Sequence, residues 1–218
     1  MLNAKKDNRI NQNDPNTQLM LQFSEGNEES FDLLFHNNSE RAYQIAFRIL
    51  ESSEDAKDIV QEAFMRVYLS KTSWKPKARF ITWFYRIIAN LCFKHKRKGK
   101  NINIVSLDSP IQKDNGDVFF NLPANEQKGP AKILEHKEIK SIIQTSIKSL
   151  PEKQRIAVVL HRYENLSYKE ISEVLECTIP AVESLLHRAK QTLRIRLEPY
   201  FKNSTQVSNE IRIKDIGG

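Results

Sequence analysis

Between Lys71 and Lys100 the chain carries ten Lys or Arg residues and no Asp or Glu. Six aromatics are interleaved with them: Trp74, Phe80, Trp83, Phe84, Tyr85 and Phe93, and both tryptophans of the chain are among these. Positive charge follows a phosphate backbone and gives salt-dependent affinity. Aromatic faces stack on unpaired bases, each worth roughly 1–3 kcal/mol. Together they supply the chemistry for holding a nucleic-acid strand whose bases are not paired. Part of the stretch must serve a core: from Phe80 onward Phe84, Ile87, Ile88 and Leu91 recur at helical spacing and predict one buried stripe. Lys77 and Arg79 lead into that helix, and Trp83, Arg86, Asn90, Lys94 and Arg97 fall at steps of three or four on the neighbouring flank. A solvated basic helix end is the plainer reading of any one of these residues. The absence of acid over the whole window favours a polyanionic partner.

A second cluster is acidic. The stretch DAKDIVQEAFMRVYL, Asp55 to Leu69, predicts a helix that opens at Ser52 or Ser53 and turns Val60, Ala63, Phe64 and Val67 inward. Asp55, Asp58 and Glu62 then share one exposed face. From Glu28 to Glu62 there are nine acids against three bases, a net of −6, whereas Lys71 to Lys100 has a net of +10. Such a division suits two faces for two partners, one a polyanion and the other a basic or polar protein surface. Attraction to a helix N-terminus explains Asp55 and Asp58 well and Glu62 poorly.

A third pattern is LSYKEISEVLECTIPAVESLLHRAKQTL. Ser167 and Glu170 match a capping box at a helix start. Ile171 and Leu175 point inward, Glu176-Cys177 makes a short turn, and Thr178 caps the next helix with Pro180 in its first turn. Val182, Leu185 and Ala189 pack back on the first helix. This is helix-turn-helix spacing, in which the second helix enters a major groove. Thr178 opens that helix, Ala181, Ser184, His187 and Arg188 lie on its outer face, and Lys190 and Arg194 carry positive charge toward the phosphates. Glu176 breaks a local rule, because that turn position often needs a positive φ, where Gly is favoured.

The elements that position these groups are all helical. Residues 1–24 read as a polar tail. Residues 25–100 form a first helical domain, with two amphipathic helices from Phe31 joined near His36 to Ser39 and then the acidic and basic helices. Residues 101–131, punctuated by Pro110, Gly116, Pro123, Gly129 and Pro130, read as a linker with the apolar pair Phe119 and Phe120 inside it. Its contour reaches roughly 100 Å at about 3.3 Å per residue. Residues 132–198 form a second domain, in which Ile139, Ile142, Ile143 and Ile147 mark one helix and Leu150-Pro151-Glu152 opens the next. Residues 199–218 read as a tail. The expected class is all-α, two small helical domains joined by a flexible linker.

Composition narrows the function. The 218 residues carry a net charge of +7, which favours a polyanion without naming it. Cys92 and Cys177 lie far apart within apolar patterns and read as reduced core residues of a cytoplasmic protein. No run of 18 or more apolar residues and no signal sequence is seen, so membrane insertion is not expected. His36, His95, His136, His161 and His187 are scattered, no CxxC spacing exists, and no glycine-rich phosphate loop is present. The expectation is no metal, no cofactor and no enzyme activity. A metal-dependent nuclease built on Asp55, Asp58 and Glu62 lacks a ligand from another segment.

DAKDIVQEAFMRVY followed by ARFITWFYRIIANLCFKHKRK resembles region two of the sigma-70 family of RNA polymerase sigma factors, in its extracytoplasmic-function (ECF) group. LPEKQRIAVVLHRYENLSYKEISEVLECTIPAVESLLHRAKQTLR resembles region four. The resemblance implies that the helix bearing Asp55, Asp58, Gln61 and Glu62 docks on the coiled coil of the largest subunit of core RNA polymerase. It implies that Lys77, Arg79, Phe80, Trp83, Arg86, Lys94 and Arg97 melt and hold the minus-ten element of promoter DNA, with Asn90 able to read a base. It implies that the helix from Thr178 to Arg194 reads the minus-thirty-five element, and that an anti-sigma protein is a partner. Glu183 and Leu185 depart from the basic residues many relatives carry. A stand-alone helix-turn-helix regulator is the competing reading, but it leaves the aromatic-basic stretch and the acidic helix without a purpose.

Overall fold

The computed structural model describes residues 14–102, 139 and 141–201. The described residues fold into helices: α1 Pro15–Ser24, α2 Glu29–Leu50, α3 Ser53–Leu69, α4 Phe80–Ile102, α5 over 141–148, α6 Glu152–Glu164, α7 Tyr168–Leu175 and α8 Ile179–Phe201. Most of the predicted linker, residues 103–131 with Phe119 and Phe120, lies outside the described residues, as do 1–13 and 202–218.

Three expectations meet a different structure. The polar tail was expected to run to residue 24, yet α1 is a packed helix. Asp14 caps it, accepting from the Thr17 N–H at 3.1 Å, and Pro15 occupies the first turn. Met20 and Phe23 are fully buried, so a few apolar side chains suffice to dock the helix. The expected break at His36 to Ser39 is absent, and α2 runs through it. Asn38 is buried in that run, and its amide donates to the Leu34 carbonyl at 2.8 Å and to Asn16 Oδ1 at 2.9 Å. A polar residue thus occupies a core position with its hydrogen bonds met. The basic helix α4 buries two stripes instead of one. Phe84, Ile88, Leu91 and Cys92 are inward as expected, but Phe80, Ile81, Tyr85 and Ala89 are buried too, and Ile87 is only half-buried.

That second stripe exists because the two halves of the chain pack on each other. α4 lies against α7, and α2 lies against α6, and one apolar cluster runs from Met20 to Leu186. The seam also holds polar pairs. Tyr85 donates its hydroxyl to Glu164 at 2.8 Å. Arg155 reaches across to the Ile49 carbonyl at 2.9 Å and to Glu51 at 3.3 Å, and also donates to the carbonyls of Lys148 and Leu150. The Arg48 guanidinium sits 4.3 Å over the Tyr163 ring.

Burial at and near the seam has a pH consequence. It pushes the Cys92 thiol up to about 12 and the Tyr163 phenol up to about 12, and it raises the Tyr85 phenol with the help of the Glu164 charge. A raised value in the folded chain gives stability that is complete below the ordinary thiol and phenol values and is lost as pH rises through the folded ones. The urea midpoint is therefore expected to fall steadily between about pH 9 and 11; a midpoint that stays flat across that window contradicts this account of the buried groups.

Candidate nucleic-acid interface

The acidic helix begins as the sequence predicts. Ser52 is the N-cap of α3, and its hydroxyl accepts from the Asp55 N–H at 3.2 Å. Asp58, Gln61 and Glu62 are exposed, and Glu62 accepts from Arg66 at 3.0 Å, one turn on. Asp55 stands apart: it is half-buried, and its carboxylate is 3.1 Å from His95 Nε2 on α4. The outward face also holds residues that sequence reasoning passed over. Met65 and Leu69 follow Asp58 and Glu62 at steps of three and four and are 52% and 72% exposed. Leu33 and Phe35 on α2 are exposed as well, and the Phe35 ring lies 4.8 Å from Phe64 of α3. Their signal was available, since they sit at outward positions of amphipathic helices where polar residues are expected.

The basic-aromatic stretch builds a cleft of ≈ 340 Å³. The segment between α3 and α4 supplies Trp74, Lys75 and Lys77, α4 supplies Trp83 and Arg86, and α7 supplies Glu173. The Trp74 and Trp83 ring centroids are 6.0 Å apart with the planes tilted by 57°, and Trp83 is half-buried. Lys77 is exposed at the cleft, and Asn90, Lys94 and Arg97 are exposed farther along α4. Phe80 is a correction. The resemblance puts it with the strand-contacting residues, but it has no exposed surface, stacks on Phe84 at 5.6 Å, and its N–H donates to Thr17 Oγ1 at 3.0 Å. A ring so enclosed is a core residue and has no face to offer a base.

Two of the basic residues are occupied by carboxylates. Arg79 pairs with Asp14 at 3.1 Å and with Glu170 at 3.1 Å. Arg86 lies 3.6 Å from Glu176. Glu170 also completes the capping box, accepting from the Ser167 N–H at 2.9 Å. Burial pushes the Glu170 carboxyl upward, but the Ser167 N–H and hydroxyl and the Arg79 guanidinium more than offset it, so the group sits below its ordinary range.

The helix-turn-helix forms as α7, the turn and α8. The capping box is present in both directions. Glu176 adopts φ 51°, the left-handed conformation the turn demands even without Gly. Thr178 caps α8 with its hydroxyl 3.4 Å from the Ala181 N–H. Val182, Leu186 and Ala189 are buried, with Leu185 only partly so. On the outer side Thr178, Ser184, His187, Arg188 and Arg194 are exposed, and Ala181 and Lys190 are half-exposed. The structure thus gathers Lys77, Trp83 and Arg86 at one cleft, while the α8 set forms a separate surface.

Two sequence families match this chain. Sigma-70 region 2 matches residues 34–102, and Sigma-70, region 4 matches residues 140–193. The ECF RNA polymerase sigma factor SigW of Bacillus subtilis is 31% identical over 176 residues, which are 81% of this chain and 93% of SigW. This chain belongs to the ECF sigma factors of the sigma-70 family. The RNA polymerase sigma-H factor of Pseudomonas aeruginosa is 27% identical over 189 residues, 86% of this chain and 96% of that factor. Solved structures share the fold. CnrH in complex with the cytosolic domain of CnrY has a TM-score of 0.61 at 21% identity, covering 85% of this sigma factor and 99% of CnrH. RpoE in complex with the anti-sigma factor NepR from Bartonella quintana has a TM-score of 0.58 at 18% identity, covering 78% of this sigma factor and 98% of RpoE. Region 2 of this sigma factor spans most of α2 through α4, and region 4 runs from α5 through most of α8.

Proposed function

We propose that this sigma factor divides its work among three surfaces. The outward face of α3, with Asp58, Gln61 and Glu62 beside Met65 and Leu69, docks on core RNA polymerase. The cleft of Trp74, Trp83, Lys75, Lys77 and Arg86, continued by Asn90, Lys94 and Arg97, grips the opened strand of the minus-ten element. The outer face of α8, from Thr178 to Arg194, lies in the major groove of the minus-thirty-five element. The protein binds core polymerase, recognises and melts promoters and starts transcription; it is an initiation factor and no enzyme.

The observation that carries the middle assignment is the pairing of two tryptophans among cations in one cleft. It offers π-faces for a base and positive charge for its phosphate. Asp55 contributes to the polymerase surface by fixing α3 against α4 through His95.

Its solved relatives suggest a further partner. CnrH stands with the cytosolic domain of CnrY and RpoE with the anti-sigma factor NepR, and we assign this chain an anti-sigma partner as well. Among the described residues no helix is long and apolar enough to cross a membrane. The cytoplasm, where the polymerase works, is its place of action.

Asp58→Arg is the test of the polymerase surface. Asp58 is exposed in the middle of α3, so the substitution should leave the circular dichroism spectrum unchanged. It places a cation where the partner surface is basic or polar, which costs up to several kcal/mol. Co-purification with core polymerase is expected to fall by about tenfold or more, and undiminished co-purification removes α3 as the docking face.

A further inference from the structure

The groove-facing helix α8 carries one side chain that a polyanion repels. From Ile179 to Leu197 it holds the cations Arg188, Lys190, Arg194 and Arg196 and a single acid, Glu183. Glu183 is exposed, although Val182 before it and Leu186 after it are buried, so the core has no use for it. Among the described residues it makes no hydrogen bond and no ion pair. The helix end does not account for it either, because α8 has no acid in its first turn, where a carboxylate gains from the N-terminal dipole.

Its place along the helix gives it a purpose. Glu183, His187, Lys190 and Arg194 follow one another at steps of four, three and four, so they form a column on one flank of α8. The cations occupy the later turns, and the carboxylate stands at the N-terminal end. In a helix-turn-helix the N-terminal residues of the second helix are those that reach base edges. A carboxylate beside phosphates only loses affinity. Beside a base edge it gains where a donor faces it. Cytosine presents its N4 amine to the major groove and no acceptor, whereas guanine presents two acceptors and thymine one. Adenine sets a donor beside an acceptor. Cytosine is therefore the base that a lone carboxylate suits.

We propose that Glu183 is a specificity-determining residue, its carboxylate accepting a hydrogen bond from N4 of one cytosine in the minus-thirty-five element. This rests on the reading that α8 lies in the major groove of that element. The carboxylate repels the phosphates of every sequence and recovers the loss only at cytosine, so it refuses wrong elements as well as accepting the right one.

The test is in vitro transcription by core polymerase with the full chain, from a promoter that the wild type uses. The positions of its upstream element are randomised one at a time, and the minus-ten element is kept. The wild type is expected to favour cytosine about tenfold over the other bases at one position of one strand. E183A is expected to lose that preference and to keep those at the other positions. E183Q is expected to shift it toward adenine, whose N6 and N7 suit a Gln amide. Because Glu183 is exposed, both variants should keep the wild-type circular dichroism spectrum and co-purify with core polymerase as the wild type does. E183Q carries the test alone should E183A not fold. The control E29Q removes the same charge at an exposed position of α2 and is expected to leave every preference unchanged. The proposal is overturned by a wild type with no cytosine preference, by a preference that survives in E183A or E183Q, or by an E183A gain that is equal on every template. A wild type indifferent to every upstream position would overturn the placing of α8 in the groove as well.

Discussion

Phe80→Ala is expected to destabilise this sigma factor by about 3–5 kcal/mol and to lower core binding and promoter opening together. Phe80 is wholly enclosed, stacked on Phe84 and beneath the N-terminal helix whose Thr17 receives its N–H. Truncation leaves a cavity between α1 and α4 that the neighbouring aromatics cannot collapse to fill. Trp83→Ala provides the contrast three residues on. Trp83 is half-buried at the cleft, so its loss should cost stability only about 1–2 kcal/mol. Promoter opening should fall about tenfold while core binding holds, as expected for one lost stacking platform. Urea unfolding followed by circular dichroism, together with permanganate footprinting of open promoter, separates the two. A Phe80→Ala protein that stays stable and loses only promoter opening would return Phe80 to the strand-contacting set.

The second large effect is expected at Arg155. This guanidinium is only 8% exposed and satisfies carbonyls on both sides of the seam between the two halves. Arg155→Met has the length to refill the space but no donors. The carbonyls of Ile49, Lys148 and Leu150 lose a partner, and Glu51 loses one of its cations. An unmet buried polar group costs about 1–3 kcal/mol, so a loss of about 3 kcal/mol is expected. Because Ile49 lies in region 2 and Arg155 in region 4, the loss falls mainly on their docking. Small-angle scattering should show a larger radius alongside the lower urea midpoint. An unaltered midpoint and radius would mean that the seam is held without Arg155.

The parts of this fold that were legible in the sequence are those written locally. The helix-turn-helix follows from the Ser167–Glu170 box, the Thr178 cap and the apolar spacing, all within about one turn of where they act. The positive φ demanded at Glu176 was legible too, although the residue type argued against it. The N-terminal helix was missed with its signal in view: Asp14 before Pro15 is a helix start, but the Asn- and Gln-rich flank concealed Met20 and Phe23. Asn38 misled because a buried amide looks polar until its partners Leu34 and Asn16 are known.

What the sequence could not show is the seam. Tyr85 and Glu164 are 79 positions apart, Arg79 and Glu170 are 91 apart, and Arg155 and Ile49 are 106 apart. No periodicity within a helix announces such pairings. Without them Tyr85 and Ile81 had no evident reason to be buried, whereas Phe80 is hidden by the N-terminal helix and Phe84 and not by the seam. The same seam explains why Arg79 and Arg86, legible as strand-contacting cations, meet carboxylates in the free chain.

This chain confers promoter choice on core RNA polymerase. The direct measurement is sequencing of transcript 5′ ends made in vitro from a genomic fragment library by core polymerase with and without the protein. A discrete set of new starts is expected that shares upstream elements near minus ten and minus thirty-five and that weakens strongly with Asp58→Arg. Starts no more specific with the protein than with core polymerase alone would contradict it.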